Sequence, residues 1–367
     1  MTPAMTLKTD DLRDFLTTLV HPQSGRKILD FISSFAVEGD SIRVIFEGPT
    51  EQLQFLEAIR SLTEGQLKQQ FPHHKVLCAL LAPKTVKSTS NILPTVKSIV
   101  AIASGKGGVG KSTTTVNLAV ALTQLGYKVG ILDADIYGPS LPTMMGLSGK
   151  PEVTADKKLI PMVAHGIRCM SIGFLIPPDT PMVWRGPMVQ GALMQLLKDV
   201  AWGELDLLLI DMPPGTGDVQ LSLAQQASLA GAVIVSTPQD IALIDARKAL
   251  MMFEKVAVPV LGIIENMSVF TCPHCGHDSH IFSHGGAHAT AATLNVPFLG
   301  EVPLRLDVRS GADRGQPENI VQPEGEIAHC YQEIAHHMLE NLLTASKQSP
   351  SRSEEHTSEL QSPCNLV

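Results

Sequence analysis

Apolar residues along most of the chain fall in short unbroken runs separated by helix-like stretches, and alternation is rare. The runs are Ile99 to Ala103, Val129 to Leu132, Leu205 to Ile210, Ala232 to Val235, Val260 to Ile264 and a short Val296 to Leu299. Near-continuous Val, Ile and Leu is what strands covered on both faces require. The pattern predicts an α/β fold, a doubly wound and mostly parallel sheet with its ligand at the carboxyl ends of the strands. Upstream the pattern changes. Asp11 to Val20 reads as helix, Ile28 to Val37 and Ile42 to Glu47 flank the turn Glu38-Gly39-Asp40, Glu51 to Gln70 is an amphipathic helix, and Lys75 to Leu81 is a short strand. These boundaries predict a small α/β domain over 1–83, a Pro-, Lys-, Thr- and Ser-bearing linker over 84–96, a large domain over 97–346, and a disordered or artefactual tail over 347–367.

One strand-to-helix junction carries specific chemistry. Beyond Ile99 to Ala103 the chain reads Gly105-Lys106-Gly107-Gly108-Val109-Gly110-Lys111-Ser112-Thr113, which satisfies GxxxxGK[ST] and opens a helix-like stretch from Thr113 to Leu125. Glycines let successive backbone N–H groups and the helix N-terminus face a polyphosphate, Lys111 reaches its terminal phosphates, and the Ser112 hydroxyl is placed to ligate Mg²⁺. Acids stand at the ends of two further runs: Asp133 and Asp135 after Val129 to Leu132, and Asp211 in Asp211-Met212-Pro213-Pro214-Gly215-Thr216-Gly217-Asp218. Carboxylates there can hold Mg²⁺ or a water beside the phosphates, although Asp133 and Asp135 also suit helix capping. Gly215 and Gly217 can swing N–H groups toward a γ-phosphate. Asn266 and Pro238-Gln239, past later strands, are candidates for holding the base, with ordinary turn roles as the alternative. The chain has no guanine-specific NKxD, so ATP is preferred.

The six cysteines among 367 residues are too few for a disulfide scaffold. Two of them form Cys272-Pro273-His274-Cys275-Gly276-His277, close behind Asn266-Met267-Ser268. A closed metal site needs about four ligands. Cys78, Cys169 and Cys330 lie in apolar or helix-like settings, so a second copy of the chain across a two-fold axis most simply supplies the missing pair. Zn²⁺ is the alternative, completed by His274, His277, His280, His284 or His288 as Cys₂His₂. His73, His74 and Cys78 tempt a metal reading too, but a cysteine in an apolar run is more often simply buried. A net charge of −8 without a Lys/Arg cluster argues against nucleic acid. Glu326 to Leu343 has no Lys or Arg, which argues against an anionic membrane surface. No signal peptide and no apolar run of about 18 residues is found, so a cytoplasmic protein is expected.

The second lysine inside the loop, Lys106, resembles the deviant Walker A class of ATPases, the group of MinD, ParA, the nitrogenase iron protein and the Mrp-type iron-sulfur carriers. With Pro213-Pro214-Gly215-Thr216-Gly217-Asp218 and the CxxC, the stretch from about Thr95 to Ser346 resembles the Mrp/ApbC branch. That resemblance implies a homodimer in which Lys106 touches the partner's nucleotide, much as an arginine finger does. It implies that Asp135 orients the attacking water, that Asp133 lies closer to Mg²⁺, that Asp211 supports Mg²⁺ through water, and that Asn266 recognises adenine. It further implies a labile [4Fe-4S] cluster bridging Cys272 and Cys275 of two subunits, received from a donor and passed to apo-proteins. The first domain resembles the small metal-sulfur assembly domain that often precedes such ATPases. Two other readings stand beside this one: a MinD- or ParA-like positioning ATPase with a structural zinc knuckle, and electron transfer like that of the nitrogenase iron protein. Ser351 to Val367 resembles translated sequencing-adapter sequence and is excluded, with Cys364, from the functional reading.

Overall fold

The computed structural model describes residues 7, 9–21, 27–47, 53–81, 93–176 and 186–348. The chain divides into two compact units, Met1–Ser90 and Asn91–Val367. In the first unit the elements are α1 (Thr9–Thr18), β1 (Ile32–Glu38), β2 (Ser41–Glu47), α2 (Leu53–Gln70) and β3 (Lys75–Leu81). β1 and β2 form an antiparallel hairpin, and α2 is the crossover that returns the chain to lay β3 parallel to β2. The apolar stripe of α2, with Ile59 and Leu67 fully buried, packs with Leu12, Leu16, Ile42, Val44 and Phe46. Each such side chain contributes about 1.5–3 kcal/mol of burial. The strand expected from Ile28 instead begins with a 3-10 turn over Ile28–Phe31, which sinks Ile28 into this core before β1 starts. Half-buried Cys78 on β3 has its thiol pushed up to about 11, chiefly by burial, as a packing residue should.

The second unit begins with β4 (Val96–Ala103), α3 (Lys111–Gln124), β5 (Val129–Asp133), α4 (Leu141–Met144), β6 (Met162–Ala164), β7 (Ile167–Ser171), α5 (Gly186–Lys198) and β8 (Leu205–Asp211). It continues with α6 (Asp218–Gln226), β9 (Gly231–Ser236), α7 (Asp240–Lys255), β10 (Val260–Thr271), β11 (Asp278–Ser279), α8 (Gly286–Leu294), β12 (Phe298–Leu304), α9 (Leu306–Arg314), α10 (Glu318–Val321) and α11 (Glu326–Gln348). Among the described residues these strands make one sheet, in the order β10-β9-β4-β8-β5-β7-β6, with β11 and β12 also paired to β10. Pairing is parallel throughout except at β6/β7 and β10/β11. β4, β5, β8 and β9 are buried almost end to end, which is why their sequences do not alternate. Among the described residues no helix is long and apolar enough to cross a membrane.

Several expected boundaries move. β10 runs on past Ile264 to Thr271, because β12 pairs with it as far as Phe270↔Leu304 and β11 pairs with its last two residues. Asn266 therefore lies inside a strand rather than beyond one. β12 starts at Phe298, after Pro297, which has no N–H for the ladder but whose carbonyl accepts from Ile263 N at 2.9 Å. The β6–β7 hairpin has no counterpart in the sequence reading. α3 begins at Lys111 rather than Thr113, placing Lys111 and Ser112 in its first turn. α11 reaches Gln348, so residues 347 and 348 are helical rather than tail. Residues 349–367 and most of the linker lie outside the described residues.

Candidate functional site

The phosphate loop joins β4 to α3 and is gripped from two sides. Gly108 and Gly110 have φ of 81° and 82°, in the left-handed region that glycine alone enters cheaply. A Cβ on Gly110 would also lie 2.2 Å from Asn266 Nδ2, and one on Gly105 would lie 2.1 Å from the backbone of Asp245 on α7. Asn266 closes the grip by donating from Nδ2 to Val109 O at 2.8 Å. The result is a cleft of about 200 Å³ lined by Lys106, Gly107, Gly108, Gly110, Lys111, Ser112, Thr113, Asp135, Met144 and Pro214, among others. Lys106 is half-buried, with Nζ 3.5 Å from Gln239 Oε1 at the start of α7.

Beneath the loop lies a buried charge cluster. Lys111 Nζ pairs with Asp211 Oδ1 at 2.5 Å, the two side chains being only 6% and 4% exposed, and Thr115 Oγ1 donates to the same oxygen at 3.1 Å. Lys111 Nζ is also 3.3 Å from Ser112 Oγ. Parallel pairing of β5 with β8 sets Asp133 directly opposite Asp211. Burial, and then the Asp211 charge, push the Asp133 carboxyl up to about 7, against hydrogen bonds from Asp135 N (3.1 Å), Leu141 N (3.2 Å) and Ser171 Oγ (3.0 Å). Half-buried Asp135 is raised mainly by burial; Lys111 pulls it down and Asp211 pushes it up. Ser171 was not anticipated. It closes β7, a five-residue apolar-to-polar run whose carboxyl end could have marked it.

The Asp133 shift has a checkable consequence. Between the ordinary aspartate value of 3.8 and about 7, the folded chain keeps a proton that the unfolded chain has released, so stability falls as pH rises through this window. An Asp133→Asn chain lacks that slope. In nucleotide-free thermal melts its melting temperature, relative to wild type, should rise from pH 5 to pH 8. A difference that stays constant with pH contradicts the assignment.

Past Asn266, β10 leads to the thiols. Gly276, with φ 69°, turns the chain, Gly276 N donates to Cys272 O, Cys272 N donates to His277 O (both 2.9 Å), and β11 returns along β10. The CxxC thus forms the tip of a hairpin, with Cys272 half-buried and Cys275 exposed. Backbone N–H groups of His274 and Cys275, and then the Cys275 thiol, hold the Cys272 thiol below its usual range, favouring the thiolate that binds metals. A groove of about 340 Å³ adjoins it, lined by Phe270, Cys272, Pro273, Leu304, Arg305 and Leu306 among others. Three histidines of the segment are engaged with other groups: His280 Nδ1 is 3.3 Å from Ser268 O, His284 Nε2 is 3.1 Å from Glu301, and His288 packs edge-on to Phe298.

Residues 95–339 match the family described as ParA: NUBPL iron-transfer P-loop NTPase. The chain belongs to this family. It is similar to the iron-sulfur cluster carrier protein of Pseudomonas fragi, 53% identical over 258 residues that span 70% of this chain and 90% of that one. It is also similar to the protein of the same description from Haemophilus influenzae, 41% identical over 348 residues, 93% of this chain and 94% of that one. Among solved structures it is similar to a nucleotide-binding protein from Archaeoglobus fulgidus in complex with ADP, with a TM-score of 0.58, 40% identity, and coverage of 68% and 98%. In this iron-transfer P-loop NTPase, the structure gathers residues 105–113, Asp133, Asp135, Asp211 and Asn266 at one end of the sheet. Cys272 and Cys275 stand beyond them on the hairpin that extends β10.

Proposed function

We propose that this chain hydrolyses ATP and, as a cytoplasmic homodimer, carries a [4Fe-4S] cluster from a donor to apo-proteins. One observation carries the reading: β10 both clamps the phosphate loop through Asn266 and ends in the CxxC hairpin, so the nucleotide grip and the thiols share one element. The left-handed glycines, the buried lysine and the facing carboxylates suit Mg²⁺-ATP, which supplies the phosphoanhydride to be cleaved. Backbone N–H groups of 107–112 cradle phosphate oxygens, and Lys111 neutralises the terminal ones. Ser112, Asp133 and Asp211 hold the metal directly or through water. Asp135 orients the attacking water, Lys106 reaches the partner's nucleotide, and Asn266 meets the adenine. The pull of nucleotide on the loop reaches the thiols through Asn266 and β10. Gly215 N, bonded to Ser104 O at 3.0 Å, ties the Pro213–Asp218 loop to the end of β4, where the phosphate loop begins.

The cluster is cargo. Four thiolates, two from each copy, match the Cys₄ set such a cluster needs. The test is transfer: anaerobically loaded chain mixed with an apo-enzyme whose activity requires a [4Fe-4S] cluster, in the presence of an iron chelator. Activity should return with the loaded chain and not with equivalent free iron and sulfide. Equal recovery from both, or none from the chain, overturns the carrier role.

A further inference from the structure

Glu265 on β10 and Glu301 on β12 stand directly opposite each other in the parallel ladder. Like charges in that relation destabilise a sheet unless a cation lies between them. Glu265 is fully buried, and its two oxygens accept from Gly285 N (2.8 Å) and Ala287 N (2.7 Å), anchoring the start of α8. Those bonds use about half of the carboxylate's acceptor capacity. The turn that delivers them is folded by left-handed Ser283 and Gly285, both at φ 74°, and it carries His284 between them. His284 Nε2 comes 3.1 Å from Glu301 Oε2. One ligand atom each from Glu265, His284 and Glu301 lie within 4.8 Å of one another. The His280 ring packs 4.6 Å from that of His284, and its Nδ1 lies 3.3 Å from Ser268 O.

We propose that Glu265, His284 and Glu301 form a binding site for a divalent first-row transition-metal ion. Geometry favours this over a plain ion pair, because the Glu265 oxygens keep unused lone pairs beside His284 Nε2 and Glu301 Oε2, so one nitrogen and two carboxylates converge on a single point. One imidazole with two carboxylates suits Fe²⁺, Mn²⁺ or Co²⁺ better than a soft ion such as Cu⁺. The site uses no residue of the thiol hairpin or the phosphate loop, so it stands or falls separately from the carrier reading.

The test uses the full chain with Cys272→Ala and Cys275→Ala, stripped of metal and nucleotide and titrated with Co²⁺. The expected result is one tightly held Co²⁺ per chain, with weak visible d–d bands and no thiolate charge-transfer band. Adding His284→Ala or Glu301→Gln should weaken binding at least about tenfold. Both residues are about half exposed, so circular dichroism and melting should hardly change. Glu265 is left intact because it anchors α8. Co²⁺ held equally by these variants, or lost instead on substituting His274 and His277, overturns the site.

Discussion

A Lys111→Ala chain is expected to lose ATP hydrolysis by at least about 10²-fold and to be less stable by about 3–5 kcal/mol, the two losses having different causes. The first follows from removing the cation placed to neutralise the terminal phosphates. The second follows from the fold, because Lys111 and Asp211 are paired at 2.5 Å and almost entirely buried. Deleting one partner leaves an uncompensated charge beside Asp133, which already faces Asp211 across β5 and β8. The two causes separate in a double variant. Lys111→Ala with Asp211→Asn should regain much of the lost stability in urea titrations while phosphate release stays near background. If the single variant melts like wild type, the buried pair does not hold the site together. If it still hydrolyses ATP at the wild-type rate, the loop is not the catalytic one.

The Cys272→Ala, Cys275→Ala chain should show the opposite profile. Both thiols belong to a hairpin tip, one half-buried and one exposed, so their loss should move stability by no more than about 0.5 kcal/mol. Nucleotide binding should persist, because no thiol is among the described residues lining the cleft. Iron and labile sulfide after anaerobic reconstitution should nevertheless fall to background. A variant that keeps the visible cluster absorption would move the cargo elsewhere in the chain.

These contrasts show what the sequence could reveal. The phosphate loop and the CxxC were legible because each is a contiguous run whose spacing is itself the chemistry. The buried strands were legible because burial on both faces leaves unbroken apolar runs, and β4, β5, β8 and β9 sit where those runs predict. Features made by pairing between distant segments were not legible. The length of β10 depends on β12 and β11 lying against it, and Ser171 reaches Asp133 only because β7 lies beside β5. Glu265 and Glu301 become opposites only through strand register. Its position in the sequence makes Asn266 a base-binding candidate, but its bond to Val109 O, which ties the loop to the thiol-bearing strand, exists only in the fold.

The most direct measurement is the molar mass of the anaerobically reconstituted chain in the presence of ATP, by light scattering, with iron and sulfide determined on the same peak. The predicted result is a dimer holding about four iron and four sulfide per two chains. A monomer, or a colourless chain holding one zinc per copy, contradicts it.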